Sequence, residues 1–302
     1  MKTMELNNLE ITEQPEGFRF TSIRELVNRT LNQNFGTHIT RDKVSSGFKE
    51  LDKALGGFQK GHLYTIAVKP GMGKTAFLLS LTNNMAIKDN YSVAIFSSER
   101  SNQKMTNRLI ETETGMSLNQ LQSGSFKESE RDHLLSMLSN IAKAKIFMDD
   151  TPALSTSLFA KKIRELKQRQ HIDLVIVDYL ELLTIGIGQK TDRPAQLGSI
   201  VKELRDIASA LEIPVLLFSQ SAGYTNGYPG AIRPSIKALP AFLKDHSDVC
   251  MLLHRNIVFE AKSQSSAKHA VELYVIPGDN TDKEIIVPLG FIESIAKFTD
   301  FS

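Results

Sequence analysis

The sequence is poor in cysteine and tryptophan and has no long apolar run. Its 302 residues include one cysteine, Cys250, and no tryptophan. A single cysteine excludes a disulfide framework and a cysteine-rich zinc site within this chain. No apolar run approaches the roughly 18–20 residues that a membrane helix needs, and the polar stretch after Met1 does not resemble a secretory signal. These absences predict a soluble, cytoplasmic protein with no membrane partner.

Neither sign of charge is in large excess. The chain has 36 Lys and Arg residues against 34 Asp and Glu residues, which gives a formal net charge of +2. This balance excludes a histone-like basic coat, although it allows a local basic surface. A chain of this length with 41% apolar residues can bury a sizeable core. We therefore expect one large α/β domain with appendages, or two small domains.

From residue 62 onward, short apolar runs alternate with segments of helical periodicity. The apolar runs span residues 63–68, 93–96, 146–148, 174–177, 215–218 and 249–253. Helical periodicity occupies residues 76–87, 105–141, 158–166 and 200–211, with breaks near Gly115 and Gly124, whereas 221–247 is mostly loop. This alternation predicts an α/β fold with a mainly parallel sheet and helices on both faces. Runs at 271–276 and 284–289 flank a turn and predict a C-terminal β-hairpin.

The residues ahead of this pattern divide into segments of different character. Residues 1–20 are polar and aperiodic, which predicts a flexible arm. Residues 21–43 contain an amphipathic helix, with Ser22 and Glu25 in a capping-box pattern, and then a polar connection. A second helical segment at 48–55 stops at Gly56. We expect the main domain to span residues 44–302.

The first apolar run leads into a glycine-rich segment, Lys69-Pro70-Gly71-Met72-Gly73-Lys74-Thr75, which a helical segment follows at once. This is a P-loop pattern, with Val68 where the first glycine usually stands. The two glycines let backbone amides approach phosphates, and the helix N-terminus adds a positive dipole. Lys74 can reach the outer phosphates, and Thr75 offers a hydroxyl to Mg²⁺. We predict that residues 69–75 bind a nucleotide; the alternative is an ordinary glycine-rich turn.

Three polar residues follow other apolar runs. Asp178 ends the run at 174–177, where a carboxylate can hold Mg²⁺ through water or can simply form a turn. Glu99 follows 93–96 after two serines, and it can polarise the attacking water or favour a helix N-terminus. Gln220 follows 215–218, and it can sense the outer phosphate or be only a polar strand end. These side chains are candidates for one site.

Taken in order, these motifs resemble the ATPase domain of bacterial replicative DNA helicases of the DnaB type, which has a RecA-like P-loop NTPase fold. The resemblance covers roughly residues 20–290. It implies ATP and Mg²⁺ as ligands: Lys74 and Thr75 hold phosphate and metal, and Asp178 orients the metal. It further implies that Glu99 activates water and Gln220 reports the phosphate state. It also implies a homo-oligomer, a hexameric ring in an active motor, with the helix at 22–34 packed on a neighbouring subunit.

Two of the places where the chain departs from the family pattern bear most directly on its expected activity. Only about twenty residues precede the first helix, where a full-length member carries a helical N-terminal domain for primase and loader contacts. The family's late strand ends in basic residues that reach the neighbour's phosphate, whereas this chain has Ile276-Pro277-Gly278-Asp279-Asn280-Thr281, with no cation until Lys283. An arginine finger is worth about 10³–10⁵ in rate, so its loss predicts slow hydrolysis.

The family's loops that face the ring centre contact single-stranded DNA. They correspond to residues 186–194 and 223–234 here, and they offer Lys190, Arg193 and Arg233. The leading hypothesis is a DnaB-like Mg-ATP-dependent DNA helicase and ATPase core acting in DNA replication or maintenance. The alternative is a related ATP-binding regulatory or assembly protein, with weak or no unwinding and hydrolysis, which docks on a true helicase or on another partner, such as a replication protein. A RecA- or KaiC-like ATPase of another pathway is a third, weaker hypothesis.

Overall fold

The computed structural model describes residues 43–123, 128–185, 192–220, 239–255, 268–277 and 284–301. The predicted arm and all but the last residue of the predicted linker segment lie outside these ranges. Lys190 and Arg233 also lie outside them. The architecture below is therefore that of the predicted main domain.

A nine-stranded sheet forms the centre of the described residues, beside a ribbon of two short strands, β1 (Lys43–Val44) and β2 (Phe58–Gln59). The strands of the large sheet are β3 (Leu63–Val68), β4 (Val93–Ser97), β5 (Ile146–Asp149), β6 (Leu174–Asp178), β7 (Val215–Ser219), β8 (Val249–Arg255), β9 (Lys268–Pro277), β10 (Ile285–Ile292) and β11 (Lys297–Asp300). Their order across the sheet is β11-β10-β9-β8-β3-β7-β6-β4-β5. Strands β8 to β5 in this order pair in parallel, and β9, β10 and β11 add an antiparallel flank.

The described residues form eight α-helices, and all but the first lie between strands of the parallel part of the sheet. They are α1 (Lys49–Leu55), α2 (Lys74–Thr82), α3 (Asn102–Thr114), α4 (Leu118–Ser123), α5 (Glu128–Lys143), α6 (Thr156–Arg169), α7 (Arg193–Leu211) and α8 (Ala241–His246). A π-helical segment, Asn83–Lys88, continues α2. In the part of the chain that the structure describes, no helix combines the length and the apolar character needed to cross a bilayer.

Both faces of the sheet are buried. In β6, Leu174 and Ile176 belong to one apolar cluster, whereas the alternate residues Val175 and Val177 belong to a second cluster. Successive side chains of a strand point to opposite faces, so the two clusters lie on the two sides of the sheet. This explains why the strands appear in the sequence as continuous apolar runs rather than as alternating patterns.

The predicted parallel sheet, the helices on its two faces and the C-terminal hairpin are confirmed. The break near Gly115 is also confirmed, because this residue ends α3 with a φ of 71° in the left-handed region. The break predicted near Gly124 lies outside the described residues. The structure adds β11, the β1–β2 ribbon and the six-residue helix α8 in a segment expected to be mostly loop. These elements are too short for periodicity to show in a sequence, and β11 depends on pairing with β10.

Candidate functional site

The candidate residues lie at one edge of the sheet. The P-loop follows β3, Gln220 follows β7, Asp178 ends β6 and Glu99 follows β4. These four strands are consecutive neighbours in the order β3-β7-β6-β4, and they are parallel. Their carboxyl ends therefore meet, as expected for a ligand site in an open α/β sheet.

The P-loop needs both of its glycines for backbone reasons. Gly71 and Gly73 have φ values of 80° and 97°, which L-residues with side chains rarely adopt. A Cβ atom added to Gly73 would lie 3.1 Å from the Phe298 ring, whereas one added to Gly71 would meet no atom within 4 Å. Gly73 is also the residue that precedes α2, which begins at Lys74. The positive end of α2 thus opens onto the loop, where it can accept an anion.

Lys74 is held in a cluster of charges. Its ammonium nitrogen lies 2.7 Å from Asp178 Oδ1 and forms a second ion pair with Glu99 Oε2. The same nitrogen lies 3.7 Å from the centre of the Tyr179 ring. Only 11% of the Lys74 side chain is exposed. Phosphate oxygens can replace these carboxylates as partners of Lys74, because phosphate is also anionic and the ammonium group is already partly desolvated.

Asp178 has one fixed carboxylate oxygen and one without a hydrogen bond. Ser97 Oγ donates to Oδ2 at 3.1 Å. Oδ1 is buried and lacks a partner in hydrogen-bond geometry among the described residues, although Lys74 is its ion-pair neighbour. Thr75, the second residue of α2, lines the same cavity as Lys74. Hydroxyl and carboxylate oxygens are hard ligands, so Thr75 and Asp178 fit Mg²⁺.

Tyr179 presents an uncharged aromatic face to Lys74. Burial raises the pKa of the Tyr179 phenol, and the nearby carboxylates of Glu99, Glu181 and Asp178 raise it further. The phenol therefore stays protonated at neutral pH, and the ring acts as a neutral support for the ammonium group.

Gln220 is anchored by Glu181, which the sequence patterns did not single out as a site residue. The backbone N–H of Gln220 donates to Glu181 Oε1 at 3.1 Å and to Oε2 at 3.0 Å. Ser219 Oγ donates to Glu181 Oε1 at 2.6 Å. One carboxylate thus joins the end of β7 to the segment that follows β6.

A cavity of about 410 Å³, here called the P-loop cavity, brings most of the predicted residues together. The predicted residues that line it are Lys69, Pro70, Gly71, Gly73, Lys74, Thr75, Glu99 and Gln220. Its volume lies within the range of small-ligand pockets, roughly 300–1,000 Å³. Two of the residues predicted for the nucleotide site do not line it. Met72 packs its side chain into the apolar core, and the buried Asp178 forms an ion pair with Lys74, which does line it.

A further part of the lining of the P-loop cavity was not predicted from the sequence. It includes Arg100, Arg108, Arg255, Phe291 and Glu293. The Arg255 guanidinium lies 4.2 Å from the centre of the Phe291 ring and 3.2 Å from Glu293 Oε1. The only sequence signal that could have indicated Arg100 and Arg108 is that they are cations close in sequence to Glu99. Phe291 reaches the cavity through antiparallel pairing of distant segments, for which no local motif exists, whereas Arg255 ends β8, the parallel neighbour of β3.

Arg193, a predicted DNA contact, lies at the start of α7. Its guanidinium donates to the backbone carbonyl of Glu181 at 2.7 Å and to the Gln196 side chain at 3.2 Å. It therefore ties α7 to the segment after β6. Its contact with DNA stays a prediction, as do those of Lys190 and Arg233.

Comparisons with known proteins point in the same direction. The family description "DnaB-like helicase C terminal domain" matches residues 43–300. The replicative DNA helicase DnaC of Bacillus subtilis (strain 168) is 27% identical over 97% of this chain, and the chain spans 64% of that relative. The replicative DNA helicase DnaB of Rickettsia bellii is 31% identical over 85% of this chain and is covered to 53%. The chain thus spans less than two thirds of the length of these relatives.

Solved structures show the same fold. A DnaB-like replicative helicase, described with its interactions with primase, has a TM-score of 0.75 at 24% identity and covers 94% of this chain and 68% of its own. A solved ATPase domain has a TM-score of 0.77 at 24% identity, covering 93% of this chain and 99% of its own. The fold is therefore the RecA-like fold of helicase ATPase domains. Because the family description covers far more than half of the sequence, the chain belongs to the DnaB-like helicase C-terminal domain family.

Proposed function

We propose that the chain is the Mg-ATP-dependent ATPase and DNA helicase core of a replicative helicase. One observation carries this proposal: the P-loop, Glu99 and Gln220 line a single cavity, and Asp178 pairs with Lys74 beside it. These are the parts that phosphoryl transfer needs, because catalysis there is mainly positioning and charge stabilisation. Membership of the helicase family supports a role in DNA replication.

Each residue has a distinct task in this proposal. The amides of the P-loop and the Lys74 ammonium bind the phosphates, and Thr75 with Asp178 holds Mg²⁺. When bound, Mg²⁺ neutralises charge on the outer phosphates. Glu99, which projects into the cavity beside Lys74, orients the attacking water and accepts its proton. Gln220 contacts the outer phosphate, and its backbone is held by Glu181.

The proposal extends to DNA and to further copies of the chain. Lys190, Arg193 and Arg233 contact the backbone of single-stranded DNA, and identical subunits form a hexameric ring in the cytoplasm. A replication protein is a further partner; interaction with primase is described for one structural neighbour. The residues that Glu181 contacts, Arg193 and Gln220, lie next to or within the predicted DNA loops in the sequence, which supports coupling of DNA to the nucleotide.

ATP hydrolysis and unwinding of a forked DNA substrate test the proposal. We expect DNA-stimulated turnover, loss of ATP binding in Lys74→Ala, and retained binding with turnover reduced by at least about 10²-fold in Glu99→Gln. The matched control is Lys161→Ala, an exposed lysine of α6 outside the cavity. Tight ATP binding with no turnover in the wild type would favour the regulatory alternative, and absence of nucleotide binding would refute both.

A further inference from the structure

Arg100 occupies an unusual place in the P-loop cavity. It follows Glu99 directly and lines the cavity wall. Its Nη2 atom lies 3.9 Å from Glu99 Oε1, while Glu99 Oε2 pairs with Lys74. A single carboxylate thus separates the guanidinium of Arg100 from the ammonium that is expected to bind phosphate.

The guanidinium of Arg100 also has an unused donor. Its Nε atom is buried and has no hydrogen-bond partner among the residues that the structure describes. Buried donors in native proteins nearly always have a partner, and a ligand in the cavity that Arg100 lines can supply the missing acceptor. A planar guanidinium with several donors is well suited to the oxygens of a phosphoryl group.

The sequence lacks Lys and Arg in a segment from which such a cation could otherwise come. Phosphoryl transfer is accelerated by an arginine that stabilises charge on the transferred group, supplied either by the same chain or by a neighbour. The end of β9 and the residues that follow it, 276–282, contain no Lys or Arg. Residues 276–282 of a neighbouring subunit therefore offer no Lys or Arg to the phosphate, and the first cation after β9 is Lys283.

We infer that Arg100 is a catalytic residue that acts within its own subunit and supplies the charge that this segment lacks. The inference rests on the proposed ATPase function. In the reaction, the oxygen of a water molecule forms a bond to the γ-phosphorus as the bond to the β–γ bridging oxygen breaks. Glu99 accepts the proton of the water, and ADP and inorganic phosphate leave. Arg100 donates hydrogen bonds to the equatorial γ-oxygens, whose charge it stabilises as the bond breaks.

Single variants test the role of the charge. We expect Arg100→Ala to lower kcat for ATP by about 10²–10³-fold with less than about 3-fold change in KM, and Arg100→Lys to recover part of the loss. The matched control is Arg164→Ala, an exposed arginine of α6 outside the cavity lining, which should retain wild-type turnover.

A binding measurement separates charge stabilisation from an indirect effect on Glu99. We expect Arg100→Ala to bind Mg-ADP like the wild type but to bind Mg-ADP with aluminium fluoride, a mimic of the transferred phosphoryl group, at least 10-fold more weakly. Equal affinity for the mimic, together with a shifted pH profile of kcat, would overturn the inference and make Arg100 a positioning residue for Glu99.

Mixing two inactive variants decides whether the residue acts within one subunit. Glu99→Gln keeps Arg100 and binds nucleotide but lacks the proton acceptor, and Arg100→Ala keeps Glu99 and binds nucleotide without the cation. We expect no recovery of turnover on mixing, whereas recovery would show that Arg100 acts across an interface and would overturn the inference. If the wild type hydrolyses ATP and Arg100→Ala hydrolyses it at the same rate, this inference alone is refuted. If the wild type does not hydrolyse ATP, the proposed function is refuted as well.

Discussion

At the scale of single residues, Gly71 and Gly73 differ in what a side chain would meet. Both have positive φ, but only at Gly73 would a Cβ atom press on another group, the Phe298 ring at 3.1 Å. We expect Gly73→Ala to lower the free energy of unfolding by about 2–3 kcal/mol, and Gly71→Ala by only about 1 kcal/mol. Urea denaturation of the two variants measures the difference. Equal losses would show that φ alone, and not the contact with Phe298, makes glycine necessary.

Glu181 should affect catalysis without touching the nucleotide. It holds the backbone of Gln220 and the hydroxyl of Ser219, and its own carbonyl accepts from Arg193. We expect Glu181→Ala to lower kcat by about 10-fold with ATP affinity retained, because the Gln220 side chain loses its fixed position. In the Glu181→Ala, Gln220→Ala double variant the losses should not add, since both act through Gln220. Additive losses would show that Glu181 does not act through Gln220 and would contradict this prediction.

At the scale of elements, β11 supports the P-loop helix from the end of the chain. Phe298 packs edge-on against Phe77 of α2, with ring centres 5.3 Å apart, and its N–H donates to Ser80 Oγ at 2.9 Å. We expect Phe298→Ala to cost about 3–5 kcal/mol of unfolding free energy and also to weaken ATP binding. The control is Phe301→Ala, at a residue that is 49% exposed, which should cost less than about 1 kcal/mol. Denaturation and nucleotide titration check both effects.

The central strand β8 should make stability depend on alkaline pH. Burial raises the pKa of the Cys250 thiol to about 11, with Asp245 adding to the shift and Ser247 opposing it. The unfolded thiol ionises near pH 8.5, so the unfolded state loses this proton first. The contribution of the buried, protonated thiol to the free energy of unfolding is therefore complete below about pH 8.5, and it is lost as pH rises toward about 11. Between pH 7.5 and 9.5 we expect the wild type to lose roughly 1 kcal/mol more unfolding free energy than Cys250→Ala. Identical losses would mean that the thiol is accessible in the folded state.

At the scale of the whole molecule, the sequence alone predicted the site residues that belong to local motifs. The P-loop is a strand, a loop and a helix in succession, and Asp178, Glu99 and Gln220 each follow an apolar run, so their meeting at one sheet edge follows from parallel pairing. Phe291 could not be placed in this way. It reaches the cavity because β8, β9 and β10 pair antiparallel, and the register of that pairing is set by long-range packing rather than by any local pattern. Arg255 differs, because it ends β8, a parallel neighbour of β3, two residues beyond the apolar run 249–253.

Assembly is the property of the whole molecule that separates a motor from a regulator. The groups described around Lys74 belong to one chain, whereas threading of DNA through a ring requires several copies. With a non-hydrolysable ATP analogue we expect native mass spectrometry to find a species of about six times the 33.7 kDa chain mass, absent from Lys74→Ala at the same concentration. Single-stranded DNA should bind this species with an affinity that falls steeply with salt, because backbone phosphates dominate the contact. A wild type that stays monomeric with saturating analogue would contradict the motor and leave a chain that binds ATP alone.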